Sequence, residues 1–428
     1  MQQPLFVPEA TWRPPNILPE LDTVISIDLE TCDPNLKLAG PGYKRNDGKV
    51  IGIAIADKHH TLYLPFDHLG GDNLDKRIIV SYVKNAISRC TEVIMANASY
   101  DLGWLGTLGI EIPCPVRDIQ IAEALIDEEC FSYSLNNLAK KYLNLNKDEE
   151  GLREAADAFE INAKNEMWKL PARYVGKYAE ADARLTYDIY QYQIPILKEE
   201  ELWNVWELET ELIPVLLHMT KKGVPVNLDA AEILNKQLKQ REANLRKQFG
   251  KLDIWSPPQL AKHCESLGLV VPRTEKGNPS VSKEFLQTCE HPEIKLIYEA
   301  RIVNRLRKVF IEDIILHQNY KGRIHADFKQ TASDSGGTRS GRLSSANPNM
   351  QQVPKRSDIG KAIRQLYVAE PDSLWCKADY SSQEPRLQVH YALLGQFGRP
   401  LPGATEALNA FTKGEKLYTF FEKTTGLP

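Results

Sequence analysis

The stretch "TVISIDLET" (residues 23–31) decides how the first half of the chain is read. Apolar, mostly β-branched residues alternate with small or polar ones, which predicts a strand. Asp28 and Glu30 stand two apart on it. A period of two puts both carboxylates on one face. Two like charges on a buried strand repel and lose hydration, an arrangement that usually needs a cation. Alone, the pair is a weak signal and reads better as a strand end meeting solvent, so its meaning rests on what surrounds it.

Outward from this strand, "KVIGIAIA" (49–56) and "TLYLPF" (61–66) read as further strands, separated from the first by the loop "CDPNLKLAGPGYKRNDG" (32–48). "LDKRIIVSYVKNAISR" (74–89) has helical spacing, "EVIMANAS" (92–99) is strand-like, and "YDLGWLGTLG" (100–109) opens a helix. "SYSLNNLAKKYL" (132–143) and "ARYVGKYAEADARLTYDIYQY" (172–192) are helical. Strands followed by a mixture with helices predict an α/β layer with a mixed sheet, ending near residue 195. The Pro-rich residues 1–20 read as an extended arm.

From there the pattern becomes helical. A helix is expected to end at Gly223, another to run from an Asp229 cap to Gly250, and one long helix to cover 291–319. "GRIHADFKQTAS" (322–333) is strand-like and "LWCKADYS" (374–381) reads as a strand, with a Gly/Ser-rich loop between them. There is no internal repeat.

Composition sets limits. The 428 residues are 42% hydrophobic and 26% charged, with a net charge of −4, an ordinary globular mixture that suggests two to four domains. No run of eighteen apolar residues marks a membrane span, and the opening residues lack the pattern of a signal peptide. Seven scattered cysteines without a C-x-x-C pair are expected to be reduced, mostly buried thiols. The overall charge gives no sign of nucleic-acid binding, which leaves local charge to decide.

Two further acidic pairs join the first. "NASYD" places Asn97 and Asp101 four apart where a strand feeds a helix, and "YAEAD" places Tyr178 and Asp182 on one helical face. Each pair by itself reads as a solvated face. Together and in this order they resemble the three motifs of the DnaQ-like 3′–5′ exonucleases, in the subclass with Tyr in the third motif, over roughly residues 20–195. The resemblance implies an RNase H-like α/β domain over 21–195. It also implies that Asp28, Glu30, Asp101 and Asp182 bind two divalent ions, Mg²⁺ or Mn²⁺, about 4 Å apart. In that family the first, second and last acids hold the nucleophile-side ion. Asp28 bridges to the second ion, and Asp101 acts there partly through water. Tyr178 would orient the attacking water and Asn97 would position the substrate strand.

"SGRLSSANPNMQQVP" (340–354) and "ADYSSQEPR" (378–386) resemble family A, or polymerase-I-like, DNA polymerases. The Gln-Glu-Pro variant and "ETCDPNLKLAGPG" (30–42) are similar to phage members. This resemblance implies a mostly helical, DNA-binding thumb over 196–325 and a partial α+β palm over 326–428. Arg342, Asn349, Gln351 and Arg364 would contact primer–template DNA. Asp379 would be a metal ligand and Glu384 the residue that crowds a ribose 2′-OH. The family usually has Ile-Glu-Leu where this chain has Gln383-Glu384-Pro385. The basic residues Arg301, Arg305, Arg307 and Lys308 would meet duplex phosphates or form a solvated face.

A family A polymerase also needs a triphosphate-gripping fingers helix and a His-Asp-Glu turn, and neither occurs in these residues. The expectation is therefore an incomplete polymerase site, in which this chain alone does not polymerise. Three readings stay open: the N-terminal subunit of a split polymerase completed by a second polypeptide, a truncated product, or a fragment. A 3′–5′ DNA exonuclease is the leading function. A non-catalytic primer–template-binding subunit and an RNA-trimming exonuclease are the alternatives. The expected location is the cytoplasm of a bacterial or phage-infected cell, with no membrane association.

Overall fold

The computed structural model describes residues 8–332, 337–395, 398–415, 419–420, 422–423 and 426. The chain divides into two compact units, residues 1–368 and 369–428.

In the first unit, β1 (Val24–Cys32) is the centre of a five-stranded sheet with β2 (Lys49–Ala56), β3 (Thr61–Pro65), β4 (Glu92–Met95) and β5 (Val116–Asp118). The order is β3-β2-β1-β4-β5. β1 pairs antiparallel with β2 and parallel with β4, so the sheet is mixed, as expected. Between β1 and β2 lies the one-turn α1 (Leu36–Ala39). α2 (Lys76–Ser88), α3 (Ala98–Leu105), α4 (Ile119–Ile126), α5 (Leu135–Leu143), α6 (Glu150–Ala158) and α7 (Gly176–Glu199) follow in chain order.

The alternation along β1 sorts its side chains. Ile25, Ile27 and Leu29 join a buried cluster with Ile53, Ile55, Ile79, Val83 and Ile87. The intervening residues face α7, because the Ser26 hydroxyl donates to the Ala183 carbonyl at 2.7 Å. On that face β2 presents Gly52, Ala54 and Ala56, and Ala54 and Ala56 pack with Ala179 and Ala183 of α7. Small residues on both partners let helix and sheet approach closely.

The arm is anchored. Trp12 is buried in the same cluster as Tyr63 and Ala179, and a Cβ at Gly176 would lie 2.1 Å from its indole. Only glycine admits the arm against the first turn of α7.

α8 (Trp203–Lys222) ends at Gly223, as read from the sequence, but is separate from α7. After β6 (Val224–Pro225) comes α9 (Leu228–Lys247). Its cap is Asn227, not Asp229: the Asn227 side chain accepts from Ala230 N at 2.9 Å, leaving Asp229 inside the first turn, where its charge suits the helix dipole. α10 (Pro257–Ser266), α11 (Lys283–Thr288) and α12 (Pro292–Arg305) follow, and α12 continues in π-helical winding over Leu306–His317. The short strands β7 (Arg323–Ile324), β8 (Asp327–Lys329) and β9 (Ser344–Ala346) and the helix α13 (Asp358–Gln365) complete the unit. Leu238, Leu260, Ile297, Ile311, Ile315 and Ile363 share a second core here.

The second unit holds α14 (Gln383–Leu394) and α15 (Ala404–Thr412) around Val389, Ala407 and Phe411. The strand expected at 374–381 does not form. Residues 374–380 have no ladder partner among the described residues and are exposed, and an unpaired strand gains nothing over solvated backbone. The cysteines are all free thiols, but only Cys32 and Cys264 are buried; Cys376 is exposed, on the same unpaired segment, and the other four are intermediate.

Candidate active site

β1 pairs with β4 only from Val24 to Ser26. Beyond that point β4 ends, and Asn97 takes a left-handed conformation (φ 66°, ψ 54°) that turns the chain into α3. The turn is held by Asp118, whose Oδ2 accepts from Ala98 N at 2.7 Å while its Oδ1 caps α4 through Gln120 N at 2.7 Å. α3 thereby carries Asp101 to the β1 strand, close enough to Asp28 and Glu30 for their charges to act on it. From the other side α7 presents Tyr178 and Asp182, four residues apart.

The carboxylates predicted from sequence thus converge. Glu30, Asp101 and Asp182 are buried and Asp28 is half-buried. Burial, then Asp182, push the Asp28 carboxyl up to about 7, while Lys147 pulls it down. Burial, then Asp28 and Asp182, raise Glu30 well above the usual range. Burial, then Asp28, Asp118 and Glu30, do the same to Asp101. Burial raises Asp182 against the opposing pull of Lys147. Burial and the fields of Glu30, Asp182 and Asp28 keep the Tyr178 phenol protonated.

Behind Glu30 is a rigid backing. A Cβ at Gly52, opposite Glu30 in the ladder, would lie 2.3 Å from the Tyr63 hydroxyl. His68 Nδ1 lies 3.0 Å from the Leu170 carbonyl and must donate to it, so Nε2 accepts from the Tyr63 hydroxyl at 2.6 Å. Burial holds the His68 pKa down at about 4, which keeps that imidazole neutral. In front, a cleft of 570 Å³ is lined by Glu30, Thr31, Asn97, Tyr100, Leu217 and Phe328, among others.

Lys147 is a member of the site that the sequence did not reveal. Its ammonium lies 2.5 Å from Asp182 Oδ2 and 3.2 Å from the Tyr178 hydroxyl. It sits within "NKDEEGLRE" (146–154), a charged run that reads as solvated surface.

Hard divalent ions fit this donor set. All donors are carboxylate oxygens that repel one another, Lys147 is the cation opposing that repulsion at Asp28, Glu30 and Asp182, and Asp182 Oδ1 is buried without a hydrogen-bond partner. The four acids are not drawn into a tight cage. Among the described residues, the metal-capable side chains with ligand atoms within 4.8 Å of one another are Glu123, Asp127 and Cys130. That trio is already served internally: Lys141 donates to Glu123 at 2.6 Å and to Asp127 at 2.9 Å, and the Tyr142 hydroxyl donates to Glu123 at 2.6 Å.

Comparison with known proteins agrees with this geometry. A model of the 3′-5′ exonuclease family matches residues 18–197, and one of DNA polymerase family A matches residues 227–397. A DNA-directed DNA polymerase of Pseudomonas phage M6 is 36% identical over 421 residues, 92% of this chain and 63% of that protein. The chain belongs to the family A DNA polymerases with a 3′–5′ exonuclease domain.

Other relatives include DNA polymerase DpoZ of Acinetobacter phage SH-Ab 15497, 26% identical over 86% of this chain and 62% of that protein. The chain therefore spans under two thirds of these relatives. The POL domain of Pol1 from M. smegmatis, solved with DNA primer-template and dNTP, shares the fold with a TM-score of 0.69, covering 96% of this chain and 65% of that one at 19% identity.

The family A motif residues are placed differently from the acids. Arg342, Gln351 and Arg364 are exposed and Asn349 is half-buried. Asn349 Oδ1 accepts from Gln351 N at 3.0 Å, and Gln351 Nε2 donates to the Leu343 carbonyl at 2.9 Å, so both side chains shape their own segment. Asp379 and Glu384, in the second unit, are exposed.

Two of the four basic residues read as meeting duplex phosphates or forming a solvated face are engaged within the protein. Arg307 is buried and bonds Glu242 at 3.2 Å and Glu312 at 2.5 Å. Arg301 donates to the Ile254 carbonyl at 2.8 Å and lies over Trp255. Both neutralise or cover the core face of their helix, while Arg305 and Lys308 stay exposed.

Proposed function

We propose that the chain is a metal-dependent 3′–5′ exodeoxyribonuclease of proofreading type, releasing nucleoside monophosphates from 3′ ends. The observation that carries this reading is the convergence of Asp28, Glu30, Asp101 and Asp182 in one mutually repelling set beside Tyr178.

Those four carboxylates would hold two divalent ions, Mg²⁺ or Mn²⁺. Such ions, when bound, supply a hydroxide nucleophile and offset charge on the departing 3′ oxygen. Tyr178, kept protonated, orients the attacking water. Asn97, exposed on the rim of the cleft, positions the substrate strand. Unpaired ends enter more easily than paired ones, because melting costs stacking energy, so mismatched ends are favoured without any reading of the base. DNA is the substrate and partner, and the cytoplasm of a bacterial or phage-infected cell is the site of action. No described helix is long and apolar enough to cross a membrane.

A second reading is favoured by a separate observation. Leu374, Trp375, Tyr380 and Tyr391 are 95%, 62%, 82% and 68% exposed. Large apolar side chains in one neighbourhood of sequence invite a cover. A further polypeptide carrying the fingers and the remaining palm would bury them. It would turn Asp379 and Glu384 into part of a synthetic site, with Arg342, Asn349, Gln351 and Arg364 on primer–template.

One experiment tests both readings. A 3′-labelled single-stranded oligonucleotide with Mg²⁺ should release mononucleotides, and Asp28→Ala with Glu30→Ala should slow release on the order of a thousandfold or more. Release that survives the double change, or is missing from the unsubstituted chain, contradicts the nuclease reading. With deoxynucleotides and a primed template, extension by this chain alone removes the second.

A further inference from the structure

Resting on the nuclease reading, the geometry points to Lys147 as an exchanging cation of the site: its ammonium holds Asp182 until a metal ion takes that carboxylate, then moves to the phosphodiester of the substrate.

Three observations place the lysine in the chemistry. Its side chain is 10% exposed and that of Asp182 is 7% exposed, so the pair is nearly closed to solvent. Its Nζ reaches Asp182 Oδ2 at 2.5 Å and the Tyr178 hydroxyl at 3.2 Å, and lies 4.5 Å from the centre of the Tyr178 ring. Its field reaches Asp28 and Glu30 as well as Asp182, so it serves as a shared counterion for three of the four acids.

The loop that carries Lys147 is built to place it. Lys147 N donates to Asn136 Oδ1 of α5 at 3.0 Å, which sets the backbone, while the four-carbon stem leaves the ammonium free to travel. The neighbouring Glu149 has ion pairs of its own, with Arg153 at 2.6 Å and Lys164 at 3.7 Å, and feels the Lys147 charge less than those two.

Charge dictates the exchange. Without divalent ions, the Lys147 ammonium pairs with Asp182, the acid whose charge also raises Asp28 and Glu30. Two divalent ions would balance the four carboxylates by themselves and expel the ammonium from Asp182. The incoming phosphodiester and the attacking hydroxide then bring negative charge that the ions no longer cancel. In a water-poor cleft a displaced ammonium is held by that charge. Tyr178 marks the destination, since the phenol now engaged by Lys147 is the group that orients the nucleophile. Lys147 would thus be a catalytic residue that touches the substrate phosphate.

The test uses the full chain with Lys147→Met, which keeps the stem, and Lys147→Arg, which keeps the charge. Mn²⁺ binding is read by the resonance of free Mn²⁺ in the absence of DNA, and single-turnover cleavage of the labelled oligonucleotide is read at saturating Mn²⁺. Without the competing ammonium, Lys147→Met should bind Mn²⁺ about fivefold tighter, and without the phosphate ligand it should cleave at least about tenfold more slowly. Lys147→Arg should move both values back toward those of the unsubstituted chain.

Unchanged Mn²⁺ affinity in Lys147→Met, or undiminished cleavage, overturns the inference. So does an arginine variant that behaves as the methionine one, because shape and not charge would then be at work. An unsubstituted chain that neither binds Mn²⁺ nor cleaves sinks the nuclease reading and this inference with it.

Discussion

Two regions of this molecule carry motif residues, and they are treated in opposite ways. Around β1 the acids come from three elements, are largely buried, and perturb one another. In residues 342–384 the motif side chains are mostly exposed, and Asn349 and Gln351 bond their own segment. A buried cluster of like charges costs folding free energy, a cost that a bound cation would offset. Exposed polar residues cost nothing and are compatible with a surface that DNA or another polypeptide completes. The difference separates acids that this chain gathers by itself from motif residues that it leaves on its surface.

That contrast can be broken at its basic residues. Arg307→Ala removes the buried partner of Glu242, so it should destabilise the chain by about 3 kcal/mol in denaturant unfolding. Arg305→Ala and Lys308→Ala should stay within about 0.5 kcal/mol and instead weaken binding to duplex DNA. If Arg307→Ala left stability intact and weakened DNA binding, that helix would be a phosphate face throughout and the division between core and surface would be wrong.

A smaller effect sharpens the other side. The Asp28 carboxyl ionises at 3.8 when unperturbed and near 7 in the fold. The folded state therefore holds more protons between those values than the unfolded one. Stability from this group is fully present below the lower value and is lost as pH rises through the upper one. In EDTA the chain should lose about 2–3 kcal/mol from pH 5 to pH 8. Asp28→Asn should flatten that slope. A metal-free chain that is equally stable across the range would mean that neither burial nor Asp182 raises the Asp28 carboxyl.

Much of the site was legible because its signals are local. Asp28 and Glu30 share a face by strand period, Tyr178 and Asp182 by helical period, and Asn97 sits at a strand–helix junction. What escaped depends on tertiary closure. Lys147 joins the site through a loop whose backbone Asn136 of α5 holds, a contact that no local pattern announces. Trp12 is anchored only because Gly176 leaves room. β5 was hidden by the prolines around it, and α6 by a glycine amid acidic residues. "LWCKADYS" has strand composition, but a strand is a paired object and composition supplies no partner.

The account stands on four acids gathering a pair of divalent ions. Anomalous diffraction from crystals soaked in Mn²⁺ tests this directly. The predicted result is two peaks about 4 Å apart, ligated by Asp28, Glu30, Asp101 and Asp182, with Lys147 released from Asp182. Peaks confined to Glu123, Asp127 and Cys130, or no ordered Mn²⁺ at all, would contradict it.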